Sequence, residues 1–130
     1  MSAVFSDADR QLIQAARDVI AARFRQDYHH VGAALRTRSG RVFAAVHLEA
    51  NVGRVAVCAE AVALGMAAAA GDTQVDTIVA VDRRGHIVAP CGMCRELLSD
   101  YAPDSRVILG EERAVQITAL LPEKYQRQGE

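Results

Sequence analysis

Apolar residues near the start of the chain recur every three or four positions, as they do on the buried face of a helix. They are Leu12, Ile13, Ala16, Val19, Ile20 and Phe24. Ser6 stands just ahead of this run and is one of the residue types that cap helices. The pattern therefore predicts a first helix over residues 7–24.

Two apolar stretches of strand type follow, and a short polar turn separates them. They are VGAALRT (31–37) and VFAAVHLE (42–49), with RSGR between them. Gly40 gives the backbone the freedom that a tight turn needs. These segments predict a β-hairpin with Gly40 in its turn.

The rest of the chain alternates between helix and strand patterns. Further helices are predicted over 58–70, before Gly71, and over 91–101, before Pro103. Further strands are predicted at 76–81, 105–109 and 114–121. The resulting order, α-β-β-α-β-α-β-β, predicts an α/β fold in which helices sandwich a mixed sheet.

The composition favours a single globular domain over residues 1–130. Apolar residues make up 51% of the chain and charged residues 24%, which is ordinary for a domain with a core. The formal net charge of -1 lacks the basic excess typical of nucleic-acid-binding proteins, so no nucleic-acid partner is expected. We also expect a cytoplasmic protein without a membrane partner, since no apolar run has the length of a signal peptide core or a membrane span.

All three cysteines fall at predicted helix starts: Cys58 at the second helix, and Cys91 and Cys94 at the third. A helix N-terminus favours the thiolate form because the helix dipole is positive there. Two helices that follow strands of one sheet can bring their starts together, and three thiolates suit Zn²⁺ with one coordination position left open. An odd count of cysteines in a reducing compartment argues against a disulfide framework. Burial as ordinary core residues is the simpler alternative.

Glu60 makes the metal interpretation more specific. It lies two residues after Cys58, where a carboxylate can reach the open coordination position without being a ligand. Together with Pro90, Cys91 and Cys94, this spacing matches the signature of zinc-dependent nucleobase deaminases in its three-cysteine form. We therefore predict that the three cysteines bind Zn²⁺ and that Glu60 is the catalytic acid and base.

The chain resembles the small zinc-dependent cytidine deaminases, including the related blasticidin-S deaminases. The matching stretches are VGAAL (31–35), CAEAVALG (58–65), APCGMCRELL (89–98) and ALLPEKY (119–125). The resemblance implies a three-layer α-β-α sandwich with a five-stranded mixed sheet, assembled as a homotetramer. It also implies hydrolysis of a small-molecule nucleoside, cytidine or deoxycytidine, to the uracil nucleoside and ammonia, as in pyrimidine salvage.

The same resemblance implies roles around the metal. Zinc would activate water for attack on C4 of cytosine, while Glu60 moves protons between water, the ring and the leaving ammonia. Similar enzymes usually carry an arginine directly after the glutamate, where this chain has Ala61. Arg95 matches a second arginine of the pattern and is the candidate for hydrogen bonding to the ligand sulfurs. Blasticidin-S deaminase resembles this chain in having an apolar residue at the first of these positions.

Candidate substrate contacts also follow from the resemblance. His47 and Glu49 lie eleven and nine residues before Cys58, at the offsets where cytidine deaminases bind ribose through asparagine and glutamate. His29 stands where those enzymes carry a phenylalanine that packs against the pyrimidine. Tyr125 follows the LLP stretch at the spacing of an aromatic residue that covers the base in a neighbouring subunit.

Other functions remain open at this point. The substrate could instead be a nucleoside antibiotic such as blasticidin S, or a modified nucleoside or base. A non-catalytic zinc module would close the site with a fourth protein ligand, and Glu60 argues against it. A nucleic-acid editing deaminase is disfavoured by the near-neutral charge.

Overall fold

The computed structural model describes residues 5–128, which fold into three helices and six strands. The helices are α1 (Asp7–Arg23), α2 (Ala59–Ala69) and α3 (Gly92–Tyr101). The strands are β1 (Val31–Thr37), β2 (Val42–Val46), β3 (Val75–Asp82), β4 (Ile87–Val88), β5 (Arg106–Gly110) and β6 (Arg113–Gln116). Short 3₁₀ helices occupy Gly53–Val55 and Ile117–Leu120.

The sheet has the order β2-β1-β3-β5-β6. Strands β3 and β5 are parallel, because α3 carries the chain back across the sheet between them. The other neighbouring pairs are antiparallel. This path confirms the expected five-stranded mixed sheet, to which β4 adds a two-residue sixth strand paired with the end of β3.

Helices cover both faces of the sheet, which confirms the three-layer arrangement. On one face, Leu12, Ala16 and Ile20 of α1 pack against a buried cluster that includes Val79 and Ile108. On the other face, α2 and α3 bury their apolar sides against the opposite faces of the same strands. That second cluster includes Leu35, Ala63, Leu64, Ala67, Ile78, Leu98 and Val107.

The ends of α1 and its contact with the sheet follow from particular residues. Ser6 is the N-cap, and its hydroxyl accepts from the Asp9 N–H while the Asp9 carboxylate accepts from the Ser6 N–H. Where α1 contacts the sheet, Gly32 of β1 lies directly beneath the helix. A Cβ at this position would stand 2.6 Å from the Ala16 carbonyl oxygen and 2.9 Å from Ile20 Cβ, so the close approach of α1 depends on glycine.

Two predicted strands are shorter in the structure. The strand expected at 42–49 ends at Val46, and Leu48 instead forms an isolated bridge with Val57, next to Cys58. The strand expected at 114–121 ends at Gln116 and turns into a 3₁₀ helix, because the Ile117 N–H bonds to the Ser105 carbonyl and the Ile117 side chain is buried. The predicted hairpin turn is confirmed, with Gly40 at φ +92°.

A buried ionic network joins α1 to the sheet. The Asp9 carboxylate accepts hydrogen bonds from Arg36 at 3.0 Å and from Arg106 at 3.4 Å. Arg36 also donates to Asp76 at 2.8 Å. Burial acts to raise the pKa of Asp9, but the two arginines and the Ser6 N–H together outweigh it and lower that pKa to about 2.

Across residues 5–128, the structure has no helix with the length and apolar character needed to span a membrane.

Candidate metal centre and catalytic cavity

The cysteines converge because two helices begin at the same end of the sheet. Cys58 is the N-cap of α2, Cys91 is the N-cap of α3, and Cys94 lies in the first turn of α3. The Sγ atoms of Cys58 and Cys91 are 3.1 Å apart, and all three sulfurs lie within 4.8 Å of one another. Residues 33 positions apart in the chain are thus brought into contact.

This group of sulfurs fits a zinc ion. A tetrahedral ion with Zn–S bonds of about 2.3 Å requires sulfur atoms about 3.8 Å apart, within the range that the three cysteines span. Three thiolates and an open side are also the ligand set of a catalytic rather than a closed structural site. The geometry and donor chemistry therefore agree with the sequence prediction.

The three thiols differ in acidity. Burial raises the pKa of Cys58 to about 11, and burial together with the nearby Glu60 charge raises that of Cys94 further. Burial acts in the same direction on Cys91, but hydrogen bonds from Cys58 and from the Cys94 N–H outweigh it and lower the pKa. A divalent cation stabilises thiolates, so zinc binding has to displace protons that Cys58 and Cys94 otherwise keep.

Glu60 lies in the first turn of α2 and is 6% exposed. Burial raises the pKa of its carboxyl, as is typical of a group that exchanges protons near neutral pH. Among residues 5–128, no other side chain hydrogen-bonds to this carboxyl. Within that range the carboxyl accepts only from its own backbone N–H, so no other side chain competes with a ligand in the adjoining cavity.

A cavity of about 160 Å³ lies beside the cysteines. Cys58, Cys91 and Glu60 form its polar wall, and Val31 and Val88 belong to its apolar wall. A small cavity with apolar side chains and a few polar groups suits a heteroaromatic ring. The ring would then lie between the sheet and the two helix starts.

His47 and Glu49 stand at the outer side of this cavity. His47 lines this cavity, which we call the inner cavity. Glu49 lines a neighbouring, outer cavity of about 440 Å³ together with Asp27 and Asn51. His47 Nε2 and Glu49 Oε2 are 3.5 Å apart, so the pair connects the two cavities. The Leu48–Val57 bridge explains this position, because it ties the segment after β2 to the residues before the first cysteine.

The other three predicted residues do not line the 160 Å³ cavity. Arg95 donates to the carbonyls of Pro90 at 2.9 Å and Leu120 at 3.2 Å, and no hydrogen bond within residues 5–128 joins it to a cysteine sulfur. It thus ties the cysteine loop to the 3₁₀ helix near the C-terminus. His29 donates to the His47 carbonyl at 2.8 Å. Tyr125 is 78% exposed and lies on the outer surface of α3.

Sequence reasoning missed several residues of the site. Val31, Val88 and Ala89 form cavity walls, and the His30 N–H donates to His47 Nδ1 at 2.9 Å. Val31 was within reach, because it begins VGAAL, one of the stretches that resemble the cytidine deaminases. The His30 contact has no sequence signal, since a backbone N–H is present at almost every position.

Comparisons with known proteins agree with the geometry. The family model described as the cytidine and deoxycytidylate deaminase zinc-binding region matches residues 6–111. A blasticidin-S deaminase from Bacillus cereus is 47% identical over 133 residues, covering 94% of this chain and 95% of the relative. A cytidine deaminase from Halalkalibacterium halodurans is 33% identical over 97 residues, covering 71% of this chain and 74% of the relative.

Solved structures show the same fold. The cytidine deaminase from Mycobacterium leprae superimposes with a TM-score of 0.79 at 27% identity, covering 88% of this chain and 97% of that one. The cytidine deaminase from Burkholderia pseudomallei gives a TM-score of 0.76 at 30% identity, with 89% and 98% covered.

Proposed function

Because this chain belongs to the cytidine and deoxycytidylate deaminase family, and is therefore a zinc-dependent deaminase, we propose that it hydrolyses the exocyclic amine of cytosine nucleosides. The products are a uracil nucleoside and ammonia. The observation that carries this proposal is the buried Glu60 beside three converging thiols, at the wall of a cavity of about 160 Å³.

Cys58, Cys91 and Cys94 would hold the zinc ion, which when bound acts as a Lewis acid and lowers the pKa of water. Glu60 accepts a proton from the attacking water and delivers it to ring N3. It then takes the remaining proton from the oxygen that has added to C4 and delivers it to the departing amine, which leaves as ammonia. Its raised pKa supports this sequence, because a group that both takes and gives a proton works best when its pKa is near the ambient pH. Val31 and Val88 hold the ring flat and exclude bulk water.

Nucleosides are favoured over nucleotides by the charges around the site. No lysine or arginine is among the described residues that line the inner or the outer cavity, whereas Asp27 and Glu49 line the outer one. A phosphate group that lay in the outer cavity would meet these two carboxylates without a lysine or arginine among the described wall residues. The family model also names deoxycytidylate deaminases, whose substrate carries a phosphate group. The charges around the cavities therefore favour nucleosides over nucleotides as substrates of this chain.

A nucleoside antibiotic is the second candidate substrate. The relative that is 47% identical over nearly the whole chain is a blasticidin-S deaminase, and the arginine usual after the glutamate is replaced here by Ala61. Both observations favour blasticidin S within the class of cytosine nucleosides. The chemistry at Glu60 and the cysteines is the same for either substrate.

A substrate panel tests these assignments. Purified enzyme with one zinc per chain is assayed for ammonia release from cytidine, deoxycytidine, blasticidin S, free cytosine and deoxycytidylate. We expect one or more of the three nucleosides to have the highest kcat/KM and deoxycytidylate to be poor. Turnover of deoxycytidylate above every nucleoside would overturn the nucleoside proposal, and no turnover of any compound would overturn the deaminase roles given to these residues.

We also propose a single-domain protein that assembles as a homotetramer in the cytoplasm and serves pyrimidine salvage. The outward side of α2 supports the assembly, because Gly65, Met66 and the alanines at 68–70 are exposed and the helix has no charged residue after Glu60. Tyr125 supports it as well, since it lies outside its own chain's inner cavity and is free to reach a neighbour's. Zinc ligation by three free thiols fits a reducing compartment.

A further inference from the structure

His47 lines the inner cavity and is bonded by two neighbouring histidines, and both bonds have a fixed direction. His29 Nδ1 lies 2.8 Å from the His47 carbonyl oxygen. A carbonyl can only accept, so the His29 ring must carry its proton on Nδ1. The backbone at position 47 is thereby held by the His29 side chain.

The bond from His30 fixes the proton on the His47 ring. The His30 backbone N–H donates to His47 Nδ1 at 2.9 Å. Because a backbone N–H can only donate, Nδ1 of His47 has to be the unprotonated nitrogen. A neutral imidazole then carries its proton on Nε2, the atom that points toward Glu49.

Glu49 is held in a complementary way. Its Oε1 accepts the Ala50 N–H at 3.0 Å, which leaves Oε2 facing His47. The separation of 3.5 Å between His47 Nε2 and Glu49 Oε2 is long for a direct hydrogen bond. One hydroxyl oxygen placed about 2.8 Å from each atom would accept from Nε2–H and donate to the carboxylate.

We propose that His29 is a positioning residue, which acts through His47 to present Nε2–H as a fixed donor to the sugar of the substrate. This inference rests on the proposed nucleoside activity, but the state of the His47 ring does not depend on it. The side chain of His29 lines neither cavity, so its effect reaches the substrate through the His47 backbone. The His47 ring cannot rotate to exchange Nδ1 for Nε2 without breaking the bond to His30, and the His29 bond holds the His47 backbone where that bond forms.

The two departures from the cytidine deaminase pattern are thus in contact. By the resemblance to cytidine deaminases, histidine stands in place of phenylalanine at position 29 and of asparagine at position 47, and the first binds the backbone of the second. An amide can present either a donor or an acceptor, whereas an imidazole held at Nδ1 presents a donor only. His47 therefore presents a donor only while its backbone is held where Nδ1 meets the His30 N–H, and the His29 bond holds that backbone.

The test compares His29→Phe, which removes the donor but keeps an aromatic ring, with His29→Asn, whose amide N–H can replace Nδ1–H. The control is His86→Phe, since the His86 side chain is 71% exposed in a turn. Nitrogen-15 NMR of zinc-loaded enzyme should show one His47 tautomer, protonated at Nε2, in the parent, His29→Asn and the control. His29→Phe should show a mixture of tautomers.

Kinetics provide the second readout. His29→Phe should raise KM for a nucleoside by about tenfold with a smaller change in kcat, and it should lose much of the preference for nucleoside over free cytosine. His29→Asn should restore KM to within about threefold, and zinc content should not change in any variant. A parent His47 that is protonated at Nδ1, an unchanged nucleoside KM in His29→Phe, or the absence of rescue by His29→Asn would each overturn the proposal. If no nucleoside were turned over at all, the NMR result would still decide the role of His29, separately from the proposed function.

Discussion

Removing the charge of Asp9 should destabilise the fold without touching the chemistry. Asn at position 9 keeps an oxygen that can accept the Ser6 N–H, so the helix cap is preserved. What Asp9→Asn removes is the negative charge that faces Arg36 and Arg106, and the Asp9 side chain is only 5% exposed. Arg36 keeps its contact with Asp76. The loss of stability should therefore be smaller than the cost of leaving a buried charge with no partner.

The pKa of Asp9 sets the magnitude. Lowering it from the ordinary value of 3.8 to about 2 corresponds to roughly 2.5 kcal/mol, at about 1.4 kcal/mol for each pKa unit. Because the pKa is lower in the folded state, this stabilisation is fully present well above pH 4 and is lost as the pH falls toward 2. By about pH 3 it should have dropped to about half.

Urea unfolding measures this prediction in parent and variant at pH 7, 5 and 3, with zinc and protein concentration held constant. We expect the free energy of unfolding to fall by about 2–3 kcal/mol in Asp9→Asn at pH 7, and the difference between the proteins to shrink at pH 3. Asp7→Asn is the control, because the Asp7 side chain is 96% exposed and its effect should stay within about 0.5 kcal/mol. A difference at pH 7 below that of the control, or one that grows on acidification, would refute the reasoning.

Four further outcomes are expected. Glu60→Gln should keep the fold and zinc but lower kcat by at least about 10²–10⁴-fold, and turnover within about tenfold of the parent would contradict its role as proton shuttle. Elemental analysis should find about one zinc per chain in the parent and much less in Cys91→Ser, whereas equal zinc in both proteins would argue against this ligand set. Gly32→Ala should cost about 1–3 kcal/mol of stability, because its Cβ would meet the Ala16 carbonyl; Gly65→Ala, which meets nothing within 4 Å, should not destabilise the fold. Tyr125→Ala should raise KM without loss of zinc, and light scattering that showed a fully active monomer would contradict the proposed assembly.

The elements that could be predicted from the sequence are those whose signal is local. Ser6 caps the first helix as expected, and β1 has the predicted bounds, because capping and apolar patterning act within a few residues. Strand β4 was missed since two residues carry no periodicity. The bend after Gln116 was also missed, because it depends on a hydrogen bond to Ser105, which lies earlier in the chain, between α3 and β5.

The same distinction applies to the site. Cys58, Cys91 and Cys94 meet as expected, because their spacing from the helix starts is a property of the sequence. The partners of Arg95 could not be predicted, since they are carbonyl groups whose positions depend on the 3₁₀ helix near the C-terminus. The contact of His29 with position 47 is equally invisible, because any residue would supply the accepting carbonyl.

The uncharged outward side of α2 affects how the protein is made. A newly synthesised chain exposes Met66 and the neighbouring alanines to water until it meets its partners in the proposed assembly. Assembly depends on the concentration of folded chains, and non-specific aggregation competes for the same apolar surface. The charged gatekeeper residues that commonly suppress aggregation are missing from this side, because a charge placed there would be buried on assembly. A variant such as Met66→Lys should therefore yield more soluble protein, of which a smaller fraction is assembled into oligomers.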